Sequence, residues 1–134
     1  MKNPQTKAET IGKWGCLAFC YLYCIGYKDV SDGQLIKMVS DAIDQGIIDK
    51  DCTVNNARNF IKFFTNKNCF VDKQPIKEIS KIKDATPVLY SMDGGKSGHF
   101  VVVENGKIVY NPLSYSRNVE KGVPISARFI TVCS

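Results

Sequence analysis

The sequence predicts an α+β fold, with an N-terminal helical half packed on a C-terminal antiparallel β-sheet. Three observations lead there. Apolar residues recur at helical spacing as far as Phe64. From Asn68 the period changes to two, in short runs bounded by Gly, Pro and Asn. The pair Asn105-Gly106 sits between two such runs, which is the strongest short-range signal for a β-hairpin.

Residues 1–13 are polar and read as an extended arm. The stretch Trp14 to Ile25 is apolar on every side, as in a helix that runs through a core rather than over a surface. Gly15 allows a close backbone approach at its start, and Gly26 is a natural stop. Ser31-Asp32-Gly33-Gln34 is a capping box, with Leu35, Ile36, Val39, Ala42 and Ile43 at helical spacing after it. Gly46 ends this second helix, and residues 47–51 link it to a third. That third helix takes Thr53 or Asn55 as its cap and sets Ala57, Phe60, Ile61 and Phe64 on one face. Asn68 to Val71 reads as a short strand, and Pro75 to Ile82 as a helical turn opened by proline. Pro87 to Met92 is a strand, Asp93 to Gly98 a flexible loop, and His99 to Glu104 a strand. Lys107 to Asn111 completes the hairpin, because Pro112 does not continue a central strand. Leu113 to Pro124 is a loop, and Ile125 to Cys133 a last strand.

At 134 residues the whole chain, 1–134, is expected to form one domain. The net charge of +5 comes from lysines scattered along the chain, with no Arg cluster and no basic stripe interleaved with aromatics. Nucleic-acid binding is therefore not expected. The apolar run from Trp14 is too short to span a bilayer, and Glu9 interrupts the basic residues ahead of it. No membrane partner is expected, and the expected compartment is the cytoplasm. Three of the six cysteines, Cys16, Cys20 and Cys24, fall at i, i+4 and i+8 of one helix, which suits free thiols in a reducing compartment. They lack the second close pair that a structural zinc site needs, so neither metal nor cofactor is expected.

Chemistry is expected from Cys16, His99 and Asn111. A cysteine in the first turn of a helix meets the positive end of the dipole, which favours thiolate. His99 is the chain's single histidine and opens one hairpin strand, while Asn111 closes the other. With the turn at Asn105-Gly106 the two lie at one end of one strand pair. The thiolate would attack, the imidazole would carry the proton, and the Asn111 amide oxygen would fix the ring.

Gly15-Cys16 heading an apolar helix, Gly98-His99-Phe100-Val101-Val102-Val103, the Asn-Gly turn and Val109-Tyr110-Asn111-Pro112 together resemble the papain-like cysteine peptidases. The likeness is closest to the small bacterial branch typified by the double-glycine-leader peptidases, which process bacteriocin precursors. It covers nearly the whole chain. It implies hydrolysis of a peptide or isopeptide amide in a protein or peptide substrate, through a thioester. The triad roles carry over to Cys16, His99 and Asn111, where that branch more often has Asp-Pro at the last position. Two departures stand out. Leu17 follows the cysteine in place of Gly, and Thr10 and Ile11 occupy the positions where the branch carries a Gln that completes the oxyanion hole. Gln5 or Thr10 would have to serve instead, and loss of one such donor costs on the order of 10²–10³ in rate. Trp14 and Gly98 are candidate walls of the substrate cleft. A catalytically silent relative that binds a protein or peptide in the same cleft is the alternative reading, and a thiol amidase or acyltransferase on the same residues is a third.

Overall fold

The helix at the centre of the molecule has no polar face. In the computed structural model, which describes Ile11 and residues 15–50, 52–112 and 117–133, helix α1 (Cys16–Cys24) buries Ala18, Phe19, Cys20, Tyr21 and Leu22 in succession. A helix buried on consecutive positions needs neighbours on several sides. Helix α2 (Asp32–Asp44) is one, and strands β2 (Thr86–Ser91) and β3 (His99–Glu104) are others.

The remaining elements follow from local chemistry. In α2 the Ser31 hydroxyl accepts from the Gln34 N–H at 3.3 Å, as the capping box predicts, and Leu35, Val39, Ala42 and Ile43 are buried. Helix α3 (Ala57–Thr65) is capped by Asn56, whose Oδ1 accepts from the Asn59 N–H at 3.0 Å. The expected caps, Thr53 and Asn55, are not used. The Asn55 amide is held 2.7 Å from Asp49 Oδ2, so the next asparagine takes the capping position. Phe60 is the hub of the aromatic core, 6.1 Å from Tyr21 and 5.1 Å from Phe64. Tyr27 packs edge-on against Phe64 and donates its hydroxyl to the Phe64 carbonyl at 3.0 Å.

The sheet adds β1 (Asn68–Pro75), β4 (Lys107–Tyr110) and β5 (Val123–Cys133), all antiparallel, in the order β1-β5-β2-β3-β4. The last strand thus lies between the first two. One face of the sheet, with Cys69, Val71, Tyr110 and Ile130, meets the helices. The other, with Val88, Tyr90, Val101, Val103 and Ala127, is covered by Ile76, Ile79, Ile82 and Val119. The helical half packed on an antiparallel sheet is therefore present.

Two segments differ from the sequence expectation. The stretch 75–82 is not helical. Pro75 still belongs to β1, Ile76 donates to the Ile125 carbonyl, and the carbonyls of Ile82 and Lys83 accept from Gly106 and Asn105 in the hairpin turn. The Ile76, Ile79, Ile82 spacing imitates a helix, but pairing to distant strands satisfies this backbone instead. Within the expected loop 113–124 there is a short helix α4 (Arg117–Lys121), and β5 begins two residues early at Val123, paired with Ser91. The expected arm, residues 1–13, lies almost wholly outside the described residues. Among the described residues no helix is long and apolar enough to cross a membrane.

Phe60 is fully buried at the junction of α1 and α3. Phe60→Ala is expected to cost about 3–5 kcal/mol, read as a lower midpoint of urea unfolding with the slope unchanged.

Candidate active site

The thiol of Cys16 sits where α1 begins. Gly15 precedes it, with its N–H on the Ile11 carbonyl at 2.8 Å. A Cβ at Gly15 would lie 2.6 Å from that same carbonyl oxygen, so no other residue fits there without a shift. Among the described residues no side chain caps the first turn of the helix.

Burial pushes the Cys16 thiol above its ordinary value, against the pull of the backbone N–H groups of Phe100, Leu17 and Cys16 itself. This reverses the expectation from the helix dipole alone. The dipole acts on a thiol that is half out of water, and desolvation of the charged form is the larger effect. Cys20 and Cys24 lie deeper on the same helix, with Cys24 pushed up to about 12 by burial and Cys20 also raised well above the ordinary thiol value. Cys20 is fully buried, while Cys24 is half-buried and lines a separate depression with Ile61 and Ile130. Cys16 lines a groove of about 540 Å³ with Gly98, Phe100 and Arg128.

His99 and Asn111 meet. The ring Nε2 lies 2.8 Å from Asn111 Oδ1. An amide oxygen only accepts, so in this contact Nε2 is the donor and Nδ1 is turned to other partners. The contact depends on a β-bulge. Glu104 pairs with Lys107 and Val103 with Ile108, but Val102 pairs with Tyr110, so Val109 is the extra residue. In the unbulged register Asn111 would stand opposite Phe100, on the wrong face. One extra residue moves it to the face of Val101 and His99. The sequence places both residues at one end of the hairpin but does not specify which face Asn111 takes.

Cys16 approaches β3 from a third direction. Phe100 shares the helical face with its partner Leu89, and His99 shares the opposite face with its partner Tyr90. β4 reaches β3 only at Val102–Glu104, and beyond that ladder the Phe100 N–H is directed at the Cys16 thiol. A strand N–H lies in the plane of its sheet, so its acceptor does too.

The loop before His99 is anchored rather than flexible. Asp93 Oδ1 accepts from the Ser97 N–H at 2.9 Å and Oδ2 from the Ser97 hydroxyl at 2.7 Å. The buried Ser91 hydroxyl lies 2.7 Å from Asp93 Oδ1 and accepts from the Gly95 N–H at 3.0 Å. These bonds, those from Ser97 first, hold the Asp93 carboxyl down to about 2. Gly98 follows, and a Cβ there would lie 2.8 Å from the Tyr90 carbonyl oxygen and 2.5 Å from Leu89 Cδ1. Gly98 lines the groove with Cys16. Trp14, Gln5 and Thr10, the other expected wall and the two oxyanion candidates, lie outside the described residues.

Sequence reasoning passed over Arg128. It is a lone cation in the last strand, and the structure puts it in the same groove as Cys16, with its guanidinium 4.9 Å over the Phe100 ring. Its isolation among β-forming residues was the only available signal. Among the described residues no three His, Cys, Asp or Glu side chains are grouped to hold a metal ion. No family model, no curated protein and no solved structure matches this chain.

Two outcomes are expected. Deleting Val109 should restore the unbulged register and detach Asn111 from His99, read as loss of the slowly exchanging Nε2 proton in imidazole-selective NMR; survival of that proton would exclude the bulge as its cause. The depressed Asp93 carboxyl favours the loop above the unfolded-chain value of about 4 and ceases to do so as pH falls through about 2. Amide-exchange protection at Gly95 and Ser97 should therefore be full at pH 5, decline over that window, and be missing at pH 5 in Asp93→Ala.

Proposed function

We propose that this protein is a papain-like thiol hydrolase acting on a peptide or isopeptide amide, with Cys16, His99 and Asn111 as its triad. The observation that carries the reading is the His99–Asn111 contact on the residue next to Phe100, whose N–H is directed at the Cys16 thiol. The resemblance of the Gly15-Cys16, Gly98-His99 and Asn111-Pro112 motifs supports the same assignment.

The chemistry follows from these groups. The Cys16 proton passes to Nδ1 of His99, and the thiolate adds to the substrate carbonyl carbon. The oxyanion is met by the N–H groups at the start of α1, the Cys16 N–H first. Collapse breaks the C–N bond, with the proton returned from His99 to the departing amine. The thioester that remains is hydrolysed by a water that gives its proton to His99, releasing the acid and the thiol. Asn111 keeps Nε2 protonated and the ring in one orientation throughout. In this reading an imidazolium at His99 would have to offset the desolvation that raises the Cys16 thiol.

One observation favours the second reading, a catalytically silent module that binds a peptide in this groove. Burial leaves the Cys16 thiol above its ordinary value. The two readings separate on the pH profile of Cys16 alkylation by iodoacetamide, followed by mass spectrometry. The hydrolase reading expects Cys16 to react well below pH 8, and His99→Ala to slow it at pH 7 by about tenfold or more, the factor for losing a charged neighbour. A Cys16 that is slow in both proteins assigns the groove to binding alone.

A further inference from the structure

Arg128 is a half-buried guanidinium on the interior face of the sheet. Among the described residues it donates one hydrogen bond, from Nη1 to Ser126 Oγ at 3.2 Å, and lies over the Phe100 ring. Among the described residues no carboxylate pairs with it. A guanidinium carries five donors, and one kept from bulk water with most of them unused is a ready site for a carboxylate. The groove does not end there. Leu17, Val54 and Arg128 line both the Cys16 groove and a second depression that reaches Arg58 and Lys73. Asn56 and Arg58 continue it to Lys62. Among the described residues no acidic side chain lines any of the three segments. Opposite charges laid along one groove select their partner more than they tighten its binding.

We propose that this groove binds an acidic peptide segment of the substrate, with one carboxylate paired to Arg128 beside the scissile amide and further acidic side chains toward Lys73 and Arg58. This inference rests on the hydrolase reading for the position of the scissile bond, while the charge recognition itself is independent of catalysis. The flat aromatic floor under Arg128 holds its guanidinium plane open for a bidentate carboxylate. Tyr21, Val54 and Val71 between the cations give the peptide an apolar bed.

The test measures binding by fluorescence anisotropy of a labelled Glu-Ala repeat decapeptide and its Gln-Ala counterpart, at low and at high salt. The wild type should bind the Glu peptide at least about tenfold more tightly than the Gln peptide, with the difference shrinking at high salt. Arg128→Gln should remove about tenfold of that preference, Arg58→Gln a smaller share, and Lys37→Gln on the exposed face of α2 none. Arg58→Gln lies on an exposed helix turn and keeps the test decisive if Arg128→Gln does not fold. Equal binding of the two peptides, no binding of either, or a preference untouched by both substitutions overturns the proposal. Displacement of the Glu peptide by oligouridylate at a lower concentration than by unlabelled Glu peptide also overturns it, in favour of nucleic acid. Alkylation of Cys16 is scored separately. A Glu preference with an inert Cys16 removes the hydrolase reading and leaves the acidic-peptide groove, whereas a reactive Cys16 with no Glu preference does the reverse.

Discussion

An all-apolar helix must be surrounded, and that constraint organises this molecule. Five consecutive residues of α1, Ala18 to Leu22, lose their solvent. Each fully buried large side chain among them gains roughly 1.5–3 kcal/mol from leaving water, but only if neighbours close on every side. The sheet closes one side through β2 and β3, and α2 another. The aromatic group around Phe60 ties α3 to the same core. Tyr23 stacks on Tyr110 at 4.9 Å, which carries the contact out to the edge strand β4. The Tyr110 hydroxyl is buried without a partner, and burial raises it to about 12. That stacking is thus maintained against the cost of an unsatisfied polar atom.

Burying the helix also dictates where its end falls. At that end Gly15 lets the backbone pass within hydrogen-bond distance of Ile11. Among the described residues no side chain caps the first turn. The same burial that positions the thiol disfavours its ionisation, and the Phe100, Leu17 and Cys16 N–H groups only partly offset this. A nucleophile in this setting needs a cationic partner in addition to a helix terminus.

Phe100 is the floor that Cys16 and the groove share. It presents its N–H to the thiol and its ring to Arg128, so one residue couples the thiol to the charge beside it. Gly98 reaches that floor on a loop held by Asp93 and Ser91, an arrangement of short hydrogen bonds in a stretch whose two glycines, Gly94 and Gly95, both have positive φ. Glycine supplies the conformations there, and the carboxylate selects one of them.

Local spacing carried much of this fold in the sequence. The continuous apolar run of α1, the capping box of α2, the period-two strands and the Asn105-Gly106 turn are properties of neighbouring residues, and neighbouring residues decide them. The Cys16, His99 and Asn111 set could be proposed from the sequence for the same reason, since each stands at the end of such an element, and of that set the structure shows the His99–Asn111 contact. What depended on distant partners was not. Ile76, Ile79 and Ile82 carry a helical spacing, but the hairpin turn and β5 take their backbone hydrogen bonds. Asn56 caps α3 because Asp49 has engaged Asn55. Nothing in the order of residues 99–111 marks Val109 as the bulged one, although that single insertion sets the face on which Asn111 meets His99. Arg128 reaches Cys16 only because β5 crosses from the end of the chain into the middle of the sheet. Periodicity records which side of an element is apolar; register and strand order come from the pairing of segments far apart in the chain, and only the tertiary structure decides them.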